Sequence, residues 1–324
     1  MTILVTGAAG FVGFHAANAL LDRGEEVVGI DNLNAYYDPA LKQARLDILL
    51  ARKGFRFEKL DLADNAGVLA LATRTRPDRI LHLGAQAGVR YSIDQPFAYA
   101  ASNLHGHLSI LEAARHLGAD LKHLVYASSS SVYGERSAVP FREDDVTMQP
   151  ASLYAATKLA DELMSSAYAS LYGIAATGLR FFTVYGPWGR PDMAYWLFSD
   201  AMYEGRPIKV FNNGEMERDF TYIDDIIAPL LRILDDSPAR GHHDVFNIGG
   251  ASPVKLMDMI AVLEAALGKT AEKIMLPMQA GDVTRTYADA SKLERVYGYR
   301  PAIRLDEGLG RFAEWYAGWR ERQG

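Results

Sequence analysis

The sequence predicts an α/β protein built on a doubly wound parallel sheet, with a smaller α/β lobe in its C-terminal half. Two observations predict this fold. Short apolar runs alternate with longer helical stretches through the first 180 residues, and a glycine-rich turn joins the first run to the first helix. The runs are almost continuously apolar, as expected of strands buried on both faces. Such a sheet binds ligands beyond the carboxyl ends of its strands.

The predicted elements follow one another in strand–helix order. The predicted strands are Ile3–Thr6, Glu26–Ile30, Arg56–Leu60, Arg79–Leu83, His123–Ala127 and Ala176–Phe181. The predicted helices are Phe11–Asp22, Leu69–Thr75, Ala98–His116 and Leu153–Tyr172. After Gly186, Pro, Gly, Trp and Asn become frequent, and short extended pieces such as Ile208–Phe211 alternate with helices. The later run Asp244–Ile248 is expected to return to the main sheet.

Composition excludes several classes of protein. The 324-residue chain has a net charge of -6, so nothing in its bulk charge favours nucleic acid or an anionic membrane. It has no cysteine, which excludes disulfides, thiolate zinc sites and a cysteine nucleophile. No apolar run approaches the roughly 20 residues of a membrane helix, and glycines interrupt the apolar N-terminus, so we expect a cytoplasmic protein. The histidines lack ligand spacing, and no metal site is expected.

A turn with three regularly spaced glycines follows the first predicted strand. Gly7, Gly10 and Gly13 belong to the run GAAGFVG, which opens the first helix. Glycines there permit a tight turn and bring the backbone close to a pyrophosphate, which binds the helix N-terminus. The second strand is followed by Asp31, 18 residues beyond Gly13. A carboxylate there accepts hydrogen bonds from a ribose diol and repels a 2′-phosphate, so we expect NAD rather than NADP.

Tyr154 and Lys158 are the candidate catalytic pair. Their i, i+4 spacing puts both side chains on one face of a helix, one turn apart. A lysine ammonium stabilises a neighbouring phenolate, and a cationic nicotinamide acts in the same direction. Such a tyrosine can take the proton of a hydroxyl as hydride leaves the same carbon. A surface Tyr/Lys pair is the simpler interpretation by itself, but the dinucleotide turn in the same chain favours catalysis.

The GxxGxxG spacing resembles the extended branch of the short-chain dehydrogenases, the NAD-dependent epimerase/dehydratase family. Asp61 after the third strand resembles that family's adenine-bracketing position. The segment 82–86, HLGAQ, resembles its cofactor-lining segment, although Gly84 stands where relatives carry alanine, a departure expected to have no consequence. The cofactor-binding residues that the resemblance implies are Gly7, Gly10, Phe11, Val12, Gly13, Asp31, Asn32, Asp61, Leu62, Leu83, Ala85, Gln86, Asn103, Tyr154, Lys158 and Phe181.

Four consecutive serines, 128–131, end the fifth predicted strand on the ligand side of the sheet. A hydroxyl there can hold the reacting oxygen against Tyr154. Register with the epimerases implies Ser129 as the catalytic serine and Ser131 as a sugar contact, while the choice among the four stays open. Nucleotide-sugar 4,6-dehydratases carry an Asp-Glu pair after this position, and decarboxylases usually a glutamate. This chain has only serines there, which favours epimerisation.

The segment 180–193, RFFTVYGPWGRPDM, closely resembles the UDP-glucuronate 4-epimerases, whereas galactose-type epimerases tend to have asparagine at the position of Thr183. The resemblance implies that Thr183 and Arg190 bind the sugar carboxylate, and a guanidinium suits that role because it binds carboxylates in bidentate fashion. It also implies that the segment with Lys209 and Val210 holds uracil by its main chain. Arg218 and Arg285 resemble the two arginines that clamp the diphosphate in this family, and Arg90 is implied at the diphosphate or the sugar.

The resemblance covers nearly the whole chain and implies reversible C4 epimerisation of UDP-glucuronate to UDP-galacturonate through a 4-keto intermediate with bound NAD. The alternatives are a UDP-glucose or UDP-N-acetylglucosamine 4-epimerase, a UDP-glucuronate decarboxylase, and a non-catalytic NAD-sensing protein. We expect residues 1–180, with return segments near 219–250, to form the NAD-binding Rossmann domain. Residues 181–218 and 251–324 are expected to form the UDP-sugar-binding lobe, with substrate between the two. A homodimer is expected through the helices 98–116 and 153–172.

Overall fold

The computed structural model describes residues 1–135, 138–147, 149–279 and 281–323. The strands are β1 (Thr2–Thr6), β2 (Glu26–Asp31), β3 (Phe55–Lys59), β4 (Arg79–His82), β5 (His123–Ser129), β6 (Ala176–Phe181), β7 (Thr183–Tyr185), β8 (Ile208–Val210), β9 (Glu217–Tyr222), β10 (His243–Ile248), β11 (Pro253–Lys255) and β12 (Lys273–Met275). The helices are α1 (Phe11–Asp22), α2 (Pro39–Leu50), α3 (Asn65–Thr75), α4 (Tyr91–Asp94), α5 (Pro96–Tyr99), α6 (Gly106–Leu117), α7 (Leu153–Tyr172), α8 (Ala194–Tyr203), α9 (Ile223–Asp235), α10 (Leu256–Leu267), α11 (Ser291–Tyr297) and α12 (Leu305–Gln323).

Seven strands form the central sheet, in the order β10-β6-β5-β4-β1-β2-β3. Neighbouring strands pair in parallel, for example β1 with both β2 and β4. The chain order reverses between β1 and β4, so a ligand crevice opens where these two strands end. The predicted doubly wound parallel sheet is confirmed. Two small sheets, β11-β9-β7 and β12-β8, contain the remaining strands.

Sequence explains where the principal elements begin and end. In β1, Ile3, Leu4 and Val5 are fully buried, which matches their uninterrupted apolar run. Helix α7 begins after Ser152, whose hydroxyl accepts a hydrogen bond from the Ala155 amide at 3.1 Å. It ends at Gly173, which adopts the left-handed conformation that a helix C-terminus favours.

The predicted bounds of β6, α1 and α7 agree with the structure residue for residue, but one predicted helix is wrong as a single element. The stretch Ala98–His116 divides into the end of α5, a π-helical turn Ala100–His105, and α6. Helix α2 is not among the predicted elements. The predicted run Asp244–Ile248 does return to the main sheet as β10, which begins one residue earlier, at His243.

The chain forms two compact units. The first comprises residues 1–134, 146–181 and 227–246, and its core contains Leu4, Ile30, Ile80 and Leu124. The second comprises residues 135–145, 182–226 and 247–324. Its core is aromatic: Tyr195, Trp196 and Phe312 pack together with centroid separations of 4.8 to 6.1 Å. The assignment of NAD and UDP-sugar binding to separate domains stays a prediction. No described helix is both long and apolar enough to cross a membrane.

Candidate active site

The glycine turn after β1 has the geometry that a pyrophosphate requires. Gly7 has a φ of +67°, which allows the tight turn. A Cβ atom on Gly13 would lie 2.1 Å from the Gly7 carbonyl oxygen, so Gly13 lets α1 pack against the end of β1. A Cβ on Gly10 would meet only Gly7 within 4 Å, and no side chain caps the helix there. The backbone is therefore accessible at Gly10, and these residues fit a bound dinucleotide.

The acidic residues predicted at the adenosine side come together beyond β2 and β3. The Asp31 carboxylate accepts a hydrogen bond from the Leu33 amide at 2.8 Å and lies 4.0 Å from the Lys42 ammonium. The Asn32 side chain donates to the Asp61 carboxylate at 2.9 Å. This donor and acceptor set suits a ribose diol and an adenine.

The segment after β4 packs tightly against the glycine turn. The Gly84 amide donates to the Thr6 hydroxyl at 2.9 Å. A Cβ on Gly84 would lie 2.9 Å from Leu62 Cδ1 and 3.1 Å from the Gly7 nitrogen. The expectation that glycine at this position has no consequence stays a prediction, because the nearest of these atoms is the far end of a flexible leucine side chain. Leu83 and Ala85, on either side, are half-buried.

Asn103 connects this segment to the catalytic helix. Its amide accepts a hydrogen bond from the Gln86 backbone N–H at 2.8 Å and donates to the Gln86 carbonyl at 3.1 Å. It also donates to the Thr157 hydroxyl at 3.0 Å. The described contacts give Asn103 a scaffolding role next to the cofactor residues, and a direct contact with NAD stays a prediction.

Tyr154 and Lys158 both lie on α7, one turn apart. The Lys158 ammonium is buried and donates to the Ala127 carbonyl at 3.0 Å and to the Asp161 carboxylate at 3.1 Å. The Tyr154 ring is half-buried and makes an edge contact with Tyr99 at 6.1 Å between centroids. The predicted pair therefore lies on α7, and the lysine of the pair is held against β5.

The structure distinguishes two of the four serines. The Ser128 hydroxyl donates to the Glu162 carboxylate at 2.6 Å, so it is part of the scaffold. Ser129 is the last residue of β5, and its hydroxyl lies 3.2 Å from both the hydroxyl and the amide nitrogen of Ser131. The two serines predicted to contact substrate are thus in contact with each other, and their roles stay predictions.

A buried ion pair beneath these residues was not predicted. Glu162 lies one turn beyond Lys158 and binds the Arg180 guanidinium through two contacts of 2.9 and 2.8 Å. Arg180 also donates to the Tyr133 hydroxyl at 2.9 Å. The i+4 spacing from Lys158 places Glu162 on the catalytic face of α7, so the sequence could have indicated this residue. Its partner on β6 could not be inferred from spacing.

Two histidines below the pair are neutral. Burial, together with the Lys158 charge, lowers the pKa of His82 to about 3. Burial also lowers the pKa of His107 well below its usual value, and this imidazole lies 2.8 Å from the Ser165 hydroxyl. Neither histidine can therefore act as a cation near the active site at neutral pH.

In the second unit, Thr183 begins β7 and pairs with Phe220 of β9. Arg190 follows a turn in which Trp188 adopts a φ of +60° and packs against the rings of Trp315 and Trp319. The Arg190 guanidinium donates to both oxygens of Asp192, at 3.0 and 2.5 Å. All four tryptophans of the chain belong to one aromatic cluster behind this turn: Trp188, Trp196, Trp315 and Trp319.

The two arginines predicted to bind a diphosphate lie next to each other around Glu217. Arg218 donates to the carbonyls of Val283 and Thr284 at 2.6 and 3.2 Å. Arg285 forms an ion pair with Glu217 at 2.6 Å, and their backbones form a parallel bridge. Both arginines thus lie where residues 283–285 run beside the start of β9, and their binding of a diphosphate stays a prediction.

The remaining predicted contacts are less distinctive. Lys209 is exposed on β8. Val210 is buried, and its carbonyl accepts a hydrogen bond from the Leu276 amide at 2.8 Å, so this carbonyl is already paired. Arg90 is exposed at the start of α4, in the first unit. Phe181 is the last residue of β6 and is half-buried.

Comparison with known proteins agrees with this geometry. The NAD dependent epimerase/dehydratase family model matches residues 3–249, and the chain belongs to that family. It is 52% identical, over 98% of both chains, to a protein from Escherichia coli O111:H- described as an uncharacterized 37.6 kDa protein in the cld 5′ region. It is 45% identical to a probable UDP-glucuronate 4-epimerase from Rhizobium meliloti, over 98% of this chain and 97% of the other.

Among solved structures, the chain is similar to the UDP-glucuronic acid 4-epimerase from Bacillus cereus, determined in complex with UDP-glucuronic acid and NAD. The TM-score is 0.92 at 36% identity, and the match covers 98% of this chain and all of the other.

Proposed function

We propose that this protein interconverts UDP-glucuronate and UDP-galacturonate by NAD-dependent epimerisation at C4 of the sugar. One observation supports epimerisation over the related eliminations. The two carboxylates on the catalytic face of α7 are engaged, Asp161 with Lys158 and Glu162 with Arg180. Without a further carboxylate pair among the described residues of this face, the redox base can oxidise and re-reduce one carbon, but the face offers no group to eliminate water.

NAD fits the residues at the β1 and β2 ends, where Gly7, Gly10 and Gly13 would accept the pyrophosphate and Asp31 the adenosine ribose. NAD bound there would supply a reversible hydride acceptor for C4 of the sugar. Tyr154 takes the proton of the 4-hydroxyl and later gives it back, and Ser129 holds the same oxygen. Lys158 stabilises the phenolate form of Tyr154 electrostatically.

Arg190 and Thr183 are the proposed ligands of the sugar carboxylate. A guanidinium has five N–H donors in a planar fork, and Asp192 accepts from two of its nitrogens, which fixes the plane of the group. A 4-keto uronate is a β-keto acid that loses carbon dioxide readily. Holding its carboxylate near the plane of the C4 carbonyl group would disfavour cleavage of the C5–C6 bond. Arg218 and Arg285 are the proposed diphosphate ligands.

The test is product analysis by NMR after separate incubation of the purified protein with UDP-glucuronate, UDP-glucose and UDP-N-acetylglucosamine. We expect UDP-galacturonate from the first substrate and at least about ten-fold slower turnover of the neutral sugars, the equivalent of about 1.4 kcal/mol. A pentose product would identify a decarboxylase. Faster turnover of either neutral sugar would identify a different 4-epimerase, and no turnover of any sugar would favour an NAD-sensing protein.

The proposal includes a homodimer formed through α6 and α7. Helix α7 presents an uncharged exposed stripe at i, i+3, i+4, i+7 and i+8: Leu163, Ser166, Ala167, Ser170 and Leu171. Leu163 is 64% and Leu171 71% exposed in the single chain, which is unfavourable unless another surface covers them. Separate NAD-binding and UDP-sugar-binding domains, and a cytoplasmic location, remain part of the proposal.

A further inference from the structure

Asp161 is a buried carboxylate in direct contact with the candidate catalytic lysine. It lies one turn beyond Lys158 on α7, and the two side chains are 1% and 4% exposed. Its Oδ2 atom is 3.1 Å from the lysine nitrogen, while Oδ1 makes no hydrogen bond to any described residue. A buried carboxylate with one oxygen outside any hydrogen bond to a described residue is unfavourable for folding, so its place beside Lys158 calls for an explanation.

Asp161 and the β5 main chain together determine where the lysine points. An ammonium group has three N–H donors. One donates to the Ala127 carbonyl and one to Asp161, so these two contacts fix the direction of the third. The lysine is therefore orientated before any ligand arrives.

The charge of Asp161 opposes that of Lys158, and the surroundings do little to change this balance. Glu162 and Arg180 offset each other, and burial keeps His82 and His107 neutral. The titratable groups that interact with the pair are Glu162 on α7, His107 on α6, His82 on β4 and Tyr126 on β5. Arg180 on β6 and His243 on β10 interact with Glu162, Tyr133 after β5 with Arg180, and Tyr99 on α5 with Tyr154.

We propose that Asp161 is a positioning residue that partly neutralises Lys158 and thereby sets the pH at which Tyr154 becomes an effective base. This inference rests on the proposed function. When Asp161 is ionised, the ammonium stabilises the Tyr154 phenolate less than an isolated lysine would. When Asp161 is protonated or replaced by a neutral isostere, the lysine charge acts without opposition and the phenolate forms at lower pH.

The ionisation of Asp161 itself falls within a measurable range. Burial raises the pKa of this carboxyl to about 6, although Lys158 acts in the opposite direction. As the pH falls through 6, Asp161 gains its proton and the lysine charge is released. That change favours the phenolate and offsets part of the activity lost to acid. The slope of the acid limb in the wild-type profile should therefore be shallower than the slope that a single ionisation produces.

The experiment is the pH profile of kcat for Asp161→Asn, whose amide oxygen can still accept the lysine hydrogen bond. We expect its acid limb to move to lower pH by at least about half a unit and to steepen to that of a single ionisation. Asp258→Asn, at an exposed position on α10, makes the same chemical change as the control and should leave the profile unchanged. Asp161→Ala should show the same shift with a lower kcat.

A second measurement does not depend on turnover. Ultraviolet difference titration of the NAD-loaded protein, with Tyr154→Phe as reference, reports the Tyr154 phenolate, which should form at lower pH in Asp161→Asn. An unchanged acid limb, or one shifted to higher pH, would overturn the proposal, as would an unchanged phenolate titration. If the wild-type protein epimerises no UDP-sugar, the proposed function fails. If it does and Asp161→Asn keeps the wild-type profile, only this inference fails.

Discussion

Glu162 and Arg180 illustrate how single buried residues support the candidate active site. Their bidentate pair is buried and joins α7 to β6, while Ser128 joins the same carboxylate to β5. A buried pair of this kind contributes little net stability as a whole, because both charges are desolvated. Removing one partner is different, since the other charge then stays buried and unpaired.

We therefore expect Glu162→Gln to lower the free energy of unfolding by about 3–5 kcal/mol. Glu58→Gln is the matched control, because Glu58 forms an exposed ion pair with Arg74, and its loss should cost less than about 0.5 kcal/mol. Urea unfolding followed by circular dichroism measures both. A difference of less than about 1 kcal/mol between the two variants would show that Arg180 finds another partner.

Residues whose placement depends on local spacing could be predicted from the sequence, and contacts that depend on facing elements could not. Tyr154 and Lys158 follow from an i, i+4 pattern on one helix, and Gly7 to Gly13 from a turn between strand and helix. Asp161 and Glu162 lie on the same helix, but their roles depend on which side chains of β5 and β6 face them. Arg190 was predicted, yet its pairing with Asp192 depends on the conformation of the turn.

At the scale of elements, long-range contacts explain the one helix that was predicted wrongly. The predicted helix 98–116 is interrupted by a π-helical turn at Ala100–His105. Asn103 lies in that turn and forms hydrogen bonds with both backbone groups of Gln86 and with Thr157. Helical periodicity reports which face is buried, but it cannot report that a side chain in the turn binds a distant main chain.

The junction of β1 and α1 gives a prediction that separates packing from helix propensity. In Gly13→Ala the new methyl group would lie 2.1 Å from the Gly7 carbonyl oxygen, so α1 must move away from β1. We expect at least about ten-fold weaker retention of NAD, the equivalent of about 1.4 kcal/mol. The NAD released from denatured, dialysed protein is the measurement.

Gly310→Ala is the matched control for that experiment. Gly310 lies within α12, and a Cβ atom there would meet nothing within 4 Å. Alanine should leave NAD retention unchanged and stabilise the helix by up to about 1 kcal/mol. If Gly13→Ala retained NAD as well as Gly310→Ala, the close approach of α1 to β1 would not be needed for cofactor binding.

For the molecule as a whole, the exposed stripe on α7 makes the oligomeric state testable. Leu163 and Leu171 present apolar side chains without a charged residue between them on that face, whereas most of the large apolar residues in the described chain are buried. Two copies meeting through α6 and α7 would remove both leucines from water, and burying one leucine side chain contributes about 1.5–3 kcal/mol. We therefore expect the wild-type protein to sediment as a dimer.

A charge in the middle of such an apolar contact is strongly unfavourable, because it would be desolvated without a partner. Leu171→Glu should consequently sediment as a monomer. The double variant with Leu163→Glu and Leu171→Glu should remain monomeric up to a higher protein concentration. Leu69→Glu places the same charge at a 40% exposed leucine on α3 and should remain dimeric. Sedimentation velocity across a concentration series distinguishes these outcomes, and a wild-type monomer or a dimeric double variant would place the contact elsewhere. Because the catalytic pair lies on the same helix, the monomeric variant would also show whether activity depends on covering the opposite face of α7.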